Sequence, residues 1–202
     1  MASGEKVRVA RREDIPAITE TLCLAFHRDP TWSWAFPDDA ERQRQYAIFW
    51  GLYVREAMRF DRPAVFVTDG VEAAAMWLPP GEVELSPEQE EKLPGLVREL
   101  VGDHADAVME LFDRFEGVQP EAPPHYYLSL LGVHDDHRGK GIGMRLLAEN
   151  LERFDGEGVP TYLESSNSAN DHRYEALGYE RIGEFTTPGG SATVGAYWRD
   201  AV

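Results

Sequence analysis

Hydrophobic and polar positions alternate along the chain with two periods, and their order predicts a sequence of elements. Residues 7–10 (VRVA) read as a short strand. The acidic residues and proline of Arg12-Glu13-Asp14-Ile15-Pro16 then open a helix with Ile15, Ile18, Leu22, Ala25 and Phe26 on one face. Asp29-Pro30 breaks it, and the following TWSWAF is expected as a loop carrying Trp32, Trp34 and Phe36. Asp38 or Asp39 caps a second helix over about residues 40–59, with Tyr46, Phe49, Trp50 and Tyr53 on its apolar side. Residues 64–68 and 71–78, joined at Asp69-Gly70, predict a hairpin that Pro79-Pro80-Gly81 ends. Ser86-Pro87-Glu88 begins a helix to about Val101, expected to break at Pro94-Gly95, and residues 104–115 give one more.

The stretch 128–154, LSLLGVHDDHRGKGIGMRLLAENLERF, organises the remainder. An apolar strand stops at a charged turn, three glycines follow at alternate positions (Gly139, Gly141, Gly143), and an amphipathic helix begins. Ile142, Leu146, Leu147, Leu151 and Phe154 share one face of that helix with Gly143 and Asn150. Glycines leave room for close approach, and a helix N-terminus offers unpaired N–H groups and the positive end of the helix dipole. Together they form an anion site, most often for a phosphate or pyrophosphate. Lys140 is followed by Gly141 rather than Ser or Thr, which excludes a P-loop, and G-x-G-x-G is not the dinucleotide spacing. The pattern that fits is R-x-x-G-x-G, on Arg138, Gly141 and Gly143.

A strand at 161–165 (TYLES), a short helix over about 171–177, a strand from Gly178-Tyr179 and a hairpin of 181–184 with 192–199 complete the chain. The layout predicts an α+β (α/β three-layer) fold with a mixed, mostly antiparallel central sheet and helices on both faces. Residues 1–202 are expected as a single domain, with a helical insertion at about 81–120 before the central strand.

Charge and cysteine content narrow the partners. A net charge of −16 opposes nucleic acid and anionic membrane surfaces. No apolar stretch approaches the ~20 residues of a membrane span, and MASGEKVRVARRED lacks the apolar segment of a signal peptide. Cys23 is the only cysteine, read as a small core residue, and a cytoplasmic location is expected. His134-Asp135-Asp136-His137 are consecutive on a turn, a poor arrangement for converging on one ion, so no metal is expected.

The R-x-x-G-x-G turn, together with YLESSNSANDHRYEALGYE, resembles the GNAT N-acetyltransferases, in which asparagines precede a tyrosine and the helix closes at a glycine and an aromatic residue. Asn167, Asn170, Tyr174 and Gly178-Tyr179 take those places. The opening VRxAxxxDIP, the long insertion and the LExS strand look most like the puromycin N-acetyltransferase branch. The resemblance implies acetyl-CoA as cofactor, its pyrophosphate held by backbone N–H groups of Arg138, Gly139, Lys140, Gly141, Ile142 and Gly143. It implies a pantetheine notch where the strands at Leu131, Gly132 and Val133 and at 162–164 splay apart, with an oxyanion-stabilising N–H near Val133. Asn167 and Asn170 would support the cofactor arm, and Tyr174 would protonate the leaving thiolate. Many members carry a strand glutamate where this chain has Tyr127 or Ser129, so Glu164 becomes the candidate base, acting directly or through water. Trp32, Trp34, Trp50, Tyr127 and Ser129 would line the pocket of a small-molecule amine, flat or apolar and weakly basic. The rival reading is a non-catalytic acyl-CoA-binding module with the same fold. Oligomeric state is open, a homodimer included.

Overall fold

The computed structural model describes residues 6–202. Seven strands form one sheet in the order β1-β2-β3-β4-β5-β7-β6. They are β1 (Val7–Val9), β2 (Val65–Thr68), β3 (Ala73–Leu78), β4 (Tyr126–Val133), β5 (Thr161–Ser165), β6 (Glu180–Thr186) and β7 (Thr193–Arg199). Neighbours run antiparallel except β4 and β5, which are parallel. The mixed sheet expected from the hydrophobic pattern is therefore present.

Strand alternation divides the interior into two cores. Val65, Val67, Ala74 and Met76 face one side, where α1 (Ile15–Phe26) and α3 (Arg42–Ala57) pack with α4 (Pro87–Val101) and α5 (Ala105–Val118). Phe66, Ala73, Ala75 and Trp77 face the other, covered by α6 (Ile142–Glu157) through Leu146, Leu147, Leu151 and Phe154. β4 breaks this alternation. Tyr126 and Leu128 belong to the α6 side, yet Leu130 belongs to the α1 side. The register explains it: Trp77 pairs with Leu128 and Met76 with Leu130, so Ser129 is an extra, bulged residue.

Three local expectations change. TWSWAF is not a loop, since Pro30–Ala35 form a short helix, α2. The Asp29 side chain accepts hydrogen bonds from the Thr31 and Trp32 amides at 3.0 and 3.1 Å, with Pro30 at the first helical position, so the residues that end α1 also start α2. Second, α4 runs without a break through Pro94, which lies with Gly95 on the exposed face. Third, the strand expected from Gly178-Tyr179 and that expected at 181–184 are one strand, β6, and β7 lies between it and β5.

Two buried polar links fix α6 against the rest. Trp77 Nε1 donates to Asn150 Oδ1 at 2.8 Å between sheet and helix. At the far end of α6, Arg199 forms a two-pronged pair with Asp155, both contacts 2.7 Å, and its Nε donates to the Leu177 carbonyl. Replacing Asn150 by Ala removes the acceptor and orphans the indole N–H. That change should cost about 1–3 kcal/mol of stability in urea unfolding. An unchanged midpoint would mean that the Trp77–Asn150 bond does not hold the helix.

Candidate active site

A cavity of about 920 Å³ lies where β4 and β5 part, lined by residues of both cores. The two strands pair over Tyr126↔Thr161, Tyr127↔Tyr162 and Leu128↔Leu163, and the ladder ends there, while β4 runs on to Val133. The bulge at Ser129 coincides with this point.

The glycine turn forms one wall. Asp135–His137 make one helical turn, and Gly141 adopts φ +73° as the N-cap of α6, with no side chain capping the helix. The first N–H groups of α6 therefore have no side-chain acceptor at the cap. A Cβ on Gly143 would lie 2.7 Å from Val133 Cγ2, so only glycine lets the helix start this close to β4. Arg138 serves the architecture of the turn. Its guanidinium donates to the Leu24 and Ala25 carbonyls at 3.1 and 2.7 Å and pairs with Asp135 at 2.8 Å. In this way it caps α1 and pins the turn to it.

Residues from β5 and α7 (Asp171–Glu175) form the opposite wall. Asn167 Oδ1 accepts the Ala169 amide and Ser165 Oγ donates to Asp171, fixing the lead into α7. Tyr174 lines the cavity and packs edge-on against Tyr179. Burial, then the charges of Asp29 and Asp171, push its phenol well above the ordinary value. Asp29 ties α2 to this wall: Ser166 Oγ donates to it at 2.8 Å, and Thr31 Oγ1 donates to the Ser166 carbonyl at 2.8 Å. Burial raises the Asp29 carboxyl to about 6 against those hydrogen bonds.

The deeper part lies under α3, α4 and α5. Trp32 stacks on Phe115 at 5.9 Å and meets Trp50 edge-on at 4.7 Å, with Phe112 and Tyr53 beside them. Glu164 projects from β5. Burial raises its carboxyl to about 8, opposed by the nearby Tyr127 and Tyr162 hydroxyls and reinforced by the charge of Glu84. Glu84, from the connection between β3 and α4, accepts a hydrogen bond from Ser129 Oγ, and burial raises its carboxyl also.

Most residues singled out in the sequence converge here: Trp32, Trp50, Tyr127, Ser129, Leu131, Val133, Arg138, Gly139, Gly141, Ile142, Gly143, Glu164, Asn167, Asn170 and Tyr174 line one cavity. Three do not. Trp34 turns away and packs on His104, whose Nε2 lies 3.0 Å from the Trp34 carbonyl. Gly132 faces Leu22 and Ala25 of α1. The Lys140 ammonium donates to the Asp136 carbonyl on the outer side of the turn. Sequence reasoning missed Glu84, Glu116, Arg28 and Arg173, which also line the cavity. No local pattern marks Glu84, whose role follows from the bulged Ser129 that it meets.

Comparison with known proteins gives a consistent picture. The family model described as "Acetyltransferase (GNAT) family" matches residues 83–179. A crystal structure titled histone acetyltransferase HPA2 and related acetyltransferase, from Corynebacterium glutamicum, superposes with a TM-score of 0.69 at 20% identity, covering 98% of this chain and 96% of that one. Arylalkylamine N-acetyltransferase 2 from Aedes aegypti gives 0.64 at 10% identity, covering 98% and 99%. An agmatine N-acetyltransferase gives 0.61 at 16% identity, covering 96% and 98%.

The raised Glu164 carboxyl has a consequence for stability. The folded state holds this proton more tightly than the unfolded chain. Its contribution is therefore complete below the ordinary carboxylate pKa and is lost as pH rises toward about 8. Glu164→Gln should make stability less dependent on pH across that window in urea unfolding. Parallel curves for the two proteins would show that the carboxyl is not desolvated.

Proposed function

Since the model of the GNAT acetyltransferase family matches residues 83–179 and the chain has that fold, we propose that it is an enzyme of this family and moves an acetyl group from acetyl-CoA to the amine of a small molecule by direct attack in a ternary complex. The observation that carries this reading is the parting of β4 and β5 beside the uncapped N-terminus of α6. An extended amide chain fits the opened strand edge, and a diphosphate fits the helix end. Room for it exists: a Cβ on Gly139 would meet nothing within 4 Å, and one on Gly141 only Arg145 Nη1 at 3.9 Å. Backbone N–H groups of residues 138–143 would hold the pyrophosphate, and the β4 edge at Leu131–Val133 would hold the pantetheine amides.

Acetyl-CoA, when bound, supplies the acyl group and a thiolate leaving group. The chain supplies the proton transfers. Tyr174 holds a proton on its hydroxyl at neutral pH, as a general acid must, and its raised pKa supports that role. Glu164, raised to about 8, takes a proton from the incoming ammonium directly or through water, and its ionised fraction grows with pH up to that value. Asn167 and Asn170 shape the wall between them.

A small-molecule acceptor is supported by the enclosed aromatic cavity, by the agmatine and arylalkylamine acetyltransferases among similar folds, and by the sequence likeness to the puromycin N-acetyltransferase branch. The charge of −16 and the single buried cysteine support a cytoplasmic enzyme without nucleic-acid partners.

Thiol release from acetyl-CoA across an amine panel tests the activity. Tyr174→Phe should lower kcat roughly 100-fold while leaving coenzyme A affinity by calorimetry unchanged. An unaltered kcat would remove Tyr174 from the chemistry. Gly141→Val, forced to φ +73°, should instead abolish coenzyme A binding, and retained affinity would dismiss the turn as the pyrophosphate site.

A further inference from the structure

The two ends of the cavity carry opposite charge. Its basic lining residues, Arg28, His137, Arg138 and Arg173, come from the end of α1, the glycine turn and α7. The segment between β3 and β4 contributes Glu82, Glu84, Glu90 and Glu116 and, among the described residues, no basic one. The carboxylates form a sequence rather than a patch. Glu164 feels the charge of Glu84, Glu84 that of Glu116, and Tyr53 that of both Glu84 and Glu116.

Among the described residues, the charge acting on Glu84 is that of Glu116 and the charge acting on Glu164 is that of Glu84, both negative. Glu84 and Glu164 are desolvated, and carboxylates so placed either keep a proton or await a cation, while Glu116 lines the same cavity from an exposed position. Around them stand the faces of Trp32, Trp50, Tyr53, Phe112, Phe115 and Tyr127, surfaces that attract a desolvated cation and accommodate methylene groups. Aromatic residues alone predict a flat or apolar amine, but the glutamates added by α4, α5 and the connection before them alter that expectation. One amine placed at Glu164 for reaction leaves Glu84, bonded among the described residues only to Ser129, and Glu116 with no basic residue of their own segment in the cavity lining.

We propose that the acceptor is a linear dicationic amine, its reacting end at Glu164 and its second cation held between Glu84 and Glu116 over the aromatic wall. The assignment rests on the acyltransferase reading for which end reacts, whereas the binding preference stands apart from turnover.

The test uses the full chain with coenzyme A bound. Putrescine, cadaverine and hexanediamine are titrated calorimetrically against butylamine, pentylamine and hexylamine, and each is then assayed as an acceptor with acetyl-CoA. At least one diamine should bind roughly 10-fold or more tightly than the monoamine of equal length, and salt should weaken that preference. Glu116→Gln, which preserves shape, should reduce the ratio several-fold, and Glu84→Gln provides a second arm should the first variant fold poorly. Equal affinities for diamines and monoamines, no binding of either, or a ratio untouched in both variants would overturn the proposal. Selective diamine binding without acetylation would leave the dication site standing and overturn the transferase reading instead.

Discussion

Parallel strands β4 and β5 share three residue pairs and then separate, and the consequences of that parting run through the molecule. A strand edge inside a folded domain leaves backbone donors and acceptors without partners, a cost of several kcal/mol unless something pairs with them. Here the open edge faces a cavity instead of packed side chains. The helix that links the two strands begins at the same point with its N–H groups free of a side-chain cap. One topological feature thus brings an unpaired strand edge and an uncapped helix start to the same cavity.

The bulge at Ser129 sets the second half of the arrangement. By inserting one residue opposite Met76 and Trp77, it transfers Leu130 from the α6 core to the α1 core and brings Ser129 to Glu84. A carboxylate from the connection before α4 thereby reaches β4 at a position where the strand itself carries a hydroxyl. The cavity acquires the Glu84 carboxylate through this contact, while the guanidinium of Arg138 is committed to the last carbonyls of α1.

Much of the fold was legible beforehand. The apolar runs 64–68 and 71–78 around Asp69-Gly70, the face of Ile142, Leu146, Leu147, Leu151 and Phe154, and the glycine spacing from Gly139 to Gly143 each follow from local rules, and each element formed near its expected bounds. Misreadings occurred where one residue serves two structures. Asp29-Pro30 ends one helix and caps another, and Pro94 sits within a helix because its ring faces water. Trp34 and Trp32 are indistinguishable in sequence, two positions apart, but docking of α2 sends them to different environments.

The sequence by itself determined the elements, the glycine turn and the aromatic, acidic character of the chain, because periodicity, backbone freedom and charge are local properties. Tertiary structure decided the rest: which strands pair and where they part, that β7 enters between β5 and β6, and that Glu84, Glu116 and Glu164 meet across one cavity. These depend on contacts between residues tens of positions apart. Their energies arise only when the whole sheet is assembled and water is excluded from the space between its strands and helices.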